Sequence, residues 1–440
     1  MELRAPRRGD RHELAVDCIR AGIEAAHPRN VLRRTVGLEG EALVVDGERY
    51  DLEPFERVLV VGGGKAAAGV ADALEAVLGD RIDAGAIVTY DPNAGDRIDH
   101  LPGDHPVPSR QGVESTRQIH DLLADADERT LVLAVVTGGA SALLPAPVGS
   151  VSLSDLRTTT EALLESGADI SELNAVRKHL STLKGGGLAR TAAPATVVSL
   201  VLSDVVGNDL GVIASGPVSP DETTFDDALS VLERHGLTVP DSVGERLERG
   251  ASGEVPETPT SGDPVFDRVT THVLADGFTA LDAAAATARD RGYTACVLSS
   301  RIRGEAREAA KSHVAIGEEV VATGNPVAGP AVVLAGGETT VDVRGDGTGG
   351  PNLEFALSAA LELTGGSVLA SVDTDGKDGG TDVAGALVDA ETVEDAGIAR
   401  DALARNDAAT YLKSRDALVR TGPTGTNVND LRVLVVDGDD

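Results

Sequence analysis

Tryptophan is absent from this 440-residue chain, and five Phe and four Tyr are its only aromatic residues. Readers of single-stranded nucleic acid stack bases on aromatic rings, so that mode of binding has little to work with. Basic charge is short as well: 39 Lys and Arg stand against 71 Asp and Glu, a formal net charge of −32 that repels a polyphosphate backbone. No nucleic-acid partner is expected. The two cysteines, Cys18 and Cys296, lie far apart; they offer neither a disulfide framework nor a metal cluster and fit a reducing cytoplasmic compartment. No window approaches 18 uncharged apolar residues, and the start, MELRAPRRGD, has no apolar signal core, so neither a membrane partner nor export is expected.

Lysine is scarcer than arginine by a wide margin, with only six at positions 65, 178, 184, 311, 377 and 413. Excess acid, few lysines and few large apolar residues resemble the solvated surface of proteins from high-salt cytoplasm, where salt screens self-repulsion. A halophilic archaeal source is the corresponding expectation. A lysine retained in a glycine-rich loop therefore carries more information than usual.

What is present is strand and helix in alternation. RVLVV (57–61), AGAIVTY (84–90), TLVLAVV (130–136) and ATVVSLVLSD (195–204) read as buried strands, separated by amphipathic stretches around 110–124, 152–166 and 171–184. This predicts a parallel α/β sheet with helices on both faces. A start at Ser171 and a stop at Gly185 predict one helix over 172–184. Its apolar stripe is Leu173, Val176, Leu180 and Leu183, leaving Asn174, Arg177, Lys178 and Lys184 for other faces. Residues 249–264, rich in Gly, Pro, Ser, Thr and acid, read as a linker before a second α/β series. Within that series AVVLAGGETTVDV (331–343) has hairpin character, and DLRVLVV (430–436) is a strand that could join either sheet. Only the first dozen residues read as disordered.

Five groups of residues could carry chemistry. Gly62, Gly63, Gly64 and Lys65 join a strand to a helix, where amides and the positive helix end suit phosphate or carboxylate. The same loop loosely fits a dinucleotide pattern, with Asp91 as its ribose acid. Gly138, Gly139 and Ser141 repeat the design after the strand TLVLAVV, and Asp204 ends another on the same rim, where a carboxylate can accept a hydroxyl proton or hold Mg²⁺. RKHLSTLKGGG (177–187) gathers Arg177, Lys178 and Lys184 in an otherwise acidic chain, as an anionic substrate requires. DTDGKDGGTD (373–382) places Asp373 and Asp375 in a loose metal-loop pattern without the terminal Glu of an EF-hand.

GGGKAAA, GDHPVPS, TGGASALL, LNAVRKHLSTLKGGGLA, SDVVGNDLGVIASGPVSPD, GGETTVDVRGDG, DTDGKDGGTDVAGALVD and TGPTGTNVNDL together resemble, in order, the segments of the MOFRL-type glycerate 2-kinases. The resemblance implies two α/β domains, a flavodoxin-like parallel-sheet domain (1–248 and 405–440) and a smaller one inserted into it (265–404). It implies transfer of the ATP γ-phosphoryl to the 2-hydroxyl of D-glycerate, with ATP and Mg²⁺ as cofactors and D-glycerate as the small-molecule partner; homo-oligomerisation is left open. Lys65 and Asp204 match the family's catalytic positions, and the Gly-rich segments with the 177–187 patch match its substrate and nucleotide surroundings. Asp373 and Asp375 are assigned to Mg²⁺. Where the family commonly reads GGRNQE, this chain reads Gly349-Gly350-Pro351-Asn352-Leu353-Glu354. Asn352 and Glu354 carry over, the Arg does not, and Arg344 is its nearest replacement. The alternatives are an NAD(P)H-dependent hydroxypyruvate reductase, a label long carried by some members, and a non-catalytic metabolite-binding protein.

Overall fold

Unbroken runs of Val and Leu leave a strand no face to give to water, so such strands must lie inside a sheet covered on both sides. In the computed structural model, which describes residues 2–437, they do. The chain divides into two units, residues 31–274 and the residues up to Asn30 together with those from Ala275 onward.

In the 31–274 unit, β1 (Val36–Glu39), β2 (Ala42–Val45) and β3 (Glu48–Asp51) form a small antiparallel sheet. The main sheet holds β4 (Arg57–Gly63), β5 (Ala84–Thr89), β6 (Ile98–Pro102), β7 (Thr130–Thr137), β8 (Thr196–Leu202) and β9 (Val269–Ala275), in the order β6-β5-β4-β7-β8-β9. The pairs from β6 across to β8 are parallel. Counted along the chain this order is 3-2-1-4-5-6, a doubly wound sheet whose winding reverses between β4 and β7, rather than the 2-1-3-4-5 order of flavodoxin. Gly63 is in register with Val88 and Val136, and Thr137 with Leu202. The glycine loops after β4 and β7 and the end of β8 therefore share one edge of the sheet, at the reversal where doubly wound folds bind ligands.

In the other unit, β10 (Thr294–Ile302), β11 (Ala331–Gly337), β12 (Val368–Asp373), β13 (Gly385–Asp389), β14 (Leu418–Val419) and β15 (Asp430–Val436) run in the order β10-β11-β15-β12-β13-β14. Only β10 and β11 pair in parallel; the rest are antiparallel. Along β15, Leu431, Val433 and Val435 pack against Leu14, Ile19 and Ile23 of the helix Asp10–Ala26, while Leu434 and Val436 pack with Phe355 and Leu357 of the helix Pro351–Glu362.

Several expectations are corrected here. The C-terminal strand lies between β11 and β12, so 405–440 belongs with the second sheet, and the doubly wound unit is the one interrupting the chain of the other. Residues 249–264 are not the boundary: they include the end of the helix Asp241–Ala251 and lead into β9, which joins the first sheet. No hairpin forms over 331–343, because β11 pairs with β10 and β15, and Thr339 N–H donates to Asp430 Oδ2 at 3.2 Å. The described part of the first dozen residues is ordered, with Leu3 buried and Arg4 exchanging backbone hydrogen bonds with Arg420 at 2.8 Å. No described helix is long and apolar enough to cross a membrane.

Candidate active site

Close backbone approach between the two glycine loops builds the site. Gly64 takes φ 134°, and a Cβ there would collide with the Thr137 hydroxyl and carbonyl. Lys65 N–H donates to Gly138 O at 2.8 Å and Ala66 N–H to Thr137 Oγ1 at 3.2 Å, which ties the loop after β4 to the loop after β7. A Cβ at Gly138 would run into the Asp204 carboxylate. At Gly139 (φ 81°) it would lie 3.0 Å from both Lys65 Cγ and His105 Cδ2. Lys65, Asp204 and His105 are thus gathered about one two-glycine turn, from three different loops at the sheet edge. The first two were expected from the sequence; His105 was not. Its signal is the GDHPVPS segment, whose prolines stiffen the approach to the turn.

The cationic patch separates into residues with different fates. The helix Ile170–His179 opens on a capping box of Asp169 and Glu172 and ends at His179, five residues short of the predicted end. Ser181 Oγ accepts from the amides of Leu183 and Lys184, each at 3.2 Å, a turn that displaces the next helical turn. Lys178 points into the unit and pairs with Asp221 at 3.1 Å, both buried, and Asp221 also accepts from Thr223 and Thr258. That lysine is spent on structure. Lys184 is buried too, yet among the described residues its Nζ donates only to the Ser141 carbonyl, at 2.8 Å. Burial, and then the Arg177 guanidinium beside it, push its ammonium down to about 7. Burial likewise depresses Arg177. Ser141 Oγ contacts Ser215 Oγ at 2.8 Å, which donates to Asn174 Oδ1 at 3.0 Å, while Asn174 Nδ2 is buried without a hydrogen-bond partner. Arg177, Lys184, Ser141, His105 and Gly139 line a cavity of about 180 Å³ closed by Leu156, Thr160, Ala142, Pro106 and Pro108.

The other unit carries the remaining expected residues. Asn352 is wholly internal: Nδ2 donates to Asp378 and Asp430 at 3.3 and 2.7 Å, and Oδ1 accepts from Ser371 at 2.6 Å. Glu354 accepts from Arg307 and Asn406, each at 2.7 Å, and Asn406 in turn holds the amides of Arg344 and Gly345. Glu354 thus supports the Gly-rich loop through Asn406, and both side chains are engaged by protein partners where ligand contacts were expected of them. Arg344 is exposed, with its guanidinium on Asp342 at 2.6 Å. Asp373 is half-buried at the end of β12, and desolvation together with the carboxylates of Asp375 and Asp430 holds its carboxyl well above the ordinary range. An all-oxygen donor pair crowded by like charge fits a hard divalent cation. Among the described residues no group of three or more His, Cys, Asp or Glu converges as a metal cage.

A family model described as a domain of unknown function (DUF4147) matches residues 14–248, and one described as the MOFRL family matches 331–430. The D-glycerate 2-kinase of Thermotoga maritima is 40% identical over 96% of this chain and 98% of its own. A relative from Agrobacterium vitis, provisionally named a hydroxypyruvate reductase, is 42% identical over 87% of this chain and 88% of its own. The crystal structure of glycerate kinase from Thermotoga maritima superposes with a TM-score of 0.85 at 38% identity, covering 96% of this chain and 99% of that one.

Proposed function

The chain belongs to the family of MOFRL-type glycerate kinases, and from that membership we propose that it works as an ATP-dependent glycerate 2-kinase with Lys65 and Asp204 as its catalytic pair. The reaction is transfer of a phosphoryl group from ATP to the 2-hydroxyl of D-glycerate. In such a transfer charge spreads over the moving oxygens in a loose transition state, so the protein's work is to position and neutralise. The observation that carries the assignment is the convergence of Lys65 and Asp204 on the Gly138–Gly139 turn. Lys65 neutralises phosphoryl oxygens there, Asp204 orients the attacking hydroxyl and takes its proton, and the glycine loops at 62–64 and 137–139 let ligand oxygens reach backbone.

Asp373 and Asp375 would hold Mg²⁺, which when bound supplies charge to the polyphosphate. Arg344, exposed on a loop pinned by Asn406 and Glu354, is the cation we assign to the work of the Arg replaced by Pro351. The free cysteines and acidic surface support a cytoplasmic, high-salt setting.

Incubation with D-glycerate, ATP and Mg²⁺ tests the reading. ADP should form only when all three are present, and NAD(P)H should persist with hydroxypyruvate. NAD(P)H oxidation without ADP would make the protein a reductase, and stabilisation by glycerate without turnover a binding protein. The reductase alternative also leaves Lys65 and the desolvated cations at 177 and 184 without a task.

A further inference from the structure

Lys184, buried, and Arg177, half-buried, share one small cavity in a chain of net charge −32, and among the described residues neither is paired there with a carboxylate. The contrast with a cavity of the other unit, lined by Arg8, Arg11, His12 and Asp389, is direct. There Arg8 sits 3.5 Å from Asp389, which His12 also meets at 3.1 Å, and Arg11 is paired with Asp437, so each of these arginines already has its anion. Lysine and arginine are seldom buried without a partner, and two side by side repel each other. Such a pair persists where a ligand supplies the missing negative charge.

We propose that this cavity is the carboxylate subsite of the kinase and that Arg177 and Lys184 are the pair that grips a short 2-hydroxy monocarboxylic acid. The inference rests on the kinase reading and deepens it. Size selects the occupant: about 180 Å³ is on the order of six water volumes, whereas sites for drug-sized ligands begin at roughly 300 Å³. The space suits a small acid and excludes a nucleotide. Position selects the length. Gly139 lines the cavity, and its neighbour Gly138 abuts the Asp204 carboxylate. Consecutive Cα atoms are about 3.8 Å apart, a step that a carboxylate and its adjacent hydroxyl can span and a longer acid would overshoot.

Steady-state kinetics of the full chain with D-glycerate, its uncharged amide D-glyceramide and ATP test this. The wild type should prefer D-glycerate by about 100-fold or more in kcat/KM, the scale of a buried charge left unpaired. Arg177→Met and Lys184→Met should each raise KM for D-glycerate by about 10-fold or more, leave KM for ATP within about twofold, and shrink that preference. Equal use of the amide by the wild type, or a rise in KM for ATP in place of that for D-glycerate, would overturn the subsite. The wild-type comparison decides the matter if a variant fails to fold. Should the wild type consume no ATP, the kinase reading is what fails. Calorimetric binding of D-glycerate to wild type and Lys184→Met then decides the subsite: loss of binding in the variant supports it, and equal binding overturns it.

Discussion

Lys65 sits with its stem against Gly139, and the Asp204 carboxylate against Gly138, so the two functional groups are held by backbone contact that only glycine permits. Lys65→Ala and Asp204→Asn should each lower kcat/KM by at least about 100-fold with an unchanged circular dichroism spectrum; a loss under tenfold at either position would remove that residue from the chemistry. Lys184 supplies a second test. An amine whose folded value lies near 7, below the ordinary value of about 10.4, contributes stability above the ordinary value and loses it as pH falls through about 7. Without acid present, the melting temperature of wild type relative to Lys184→Met should therefore fall between pH 9 and pH 7, and D-glycerate should restore it. A difference that stays flat with pH would mean that the ammonium is not held down by burial and Arg177.

Among the elements, β4, β5, β7 and β8 were legible because their runs are long and apolar, whereas the short or polar β1, β2, β3, β6 and β14 carry no such run and were not expected. The helix over 172–184 was only half legible. Leu180 and Leu183 continue the apolar stripe of Leu173 and Val176, yet Leu180 packs with those residues while Leu183 packs with β4 and β7 side chains in a different core. A periodicity count cannot tell one buried face from two cores joined by a turn, and the Ser181 hydroxyl that makes the turn is a single-residue signal. The same turn brings Lys184 to the cavity, whereas Lys178, still on the helix, meets Asp221. Lys178→Met should accordingly destabilise the fold by about 3–5 kcal/mol, the scale for breaking a buried pair, while kcat/KM at low temperature changes less than about threefold. Denaturant melts and kinetics of that variant check both clauses. A large kinetic loss with an intact fold would return Lys178 to the substrate.

For the molecule as a whole, class and function were legible through the ordered motifs, and the division into units was not. DLRVLVV reads as buried on both faces wherever it is placed, and nothing local says which sheet will bury it. The N-terminal helix settles the matter, since its Leu14, Ile19 and Ile23 need the β15 face that Val433 and Val435 present. Charge is the other whole-molecule property. With an excess of 32 negative charges, self-repulsion acts over about 30 Å at 0.01 M salt and about 3 Å at 1 M. Melting temperature and activity should rise steeply between those concentrations, and full activity with an unchanged melting point in dilute buffer would contradict the high-salt reading. The central claim is phosphorylation of the 2-hydroxyl. Its most direct test couples the reaction of D-glycerate, ATP and Mg²⁺ to enolase with no phosphoglycerate mutase added. Phosphoenolpyruvate should appear at once; if it appears only after mutase is supplied, the phosphoryl group has gone to the 3-hydroxyl and the account is contradicted.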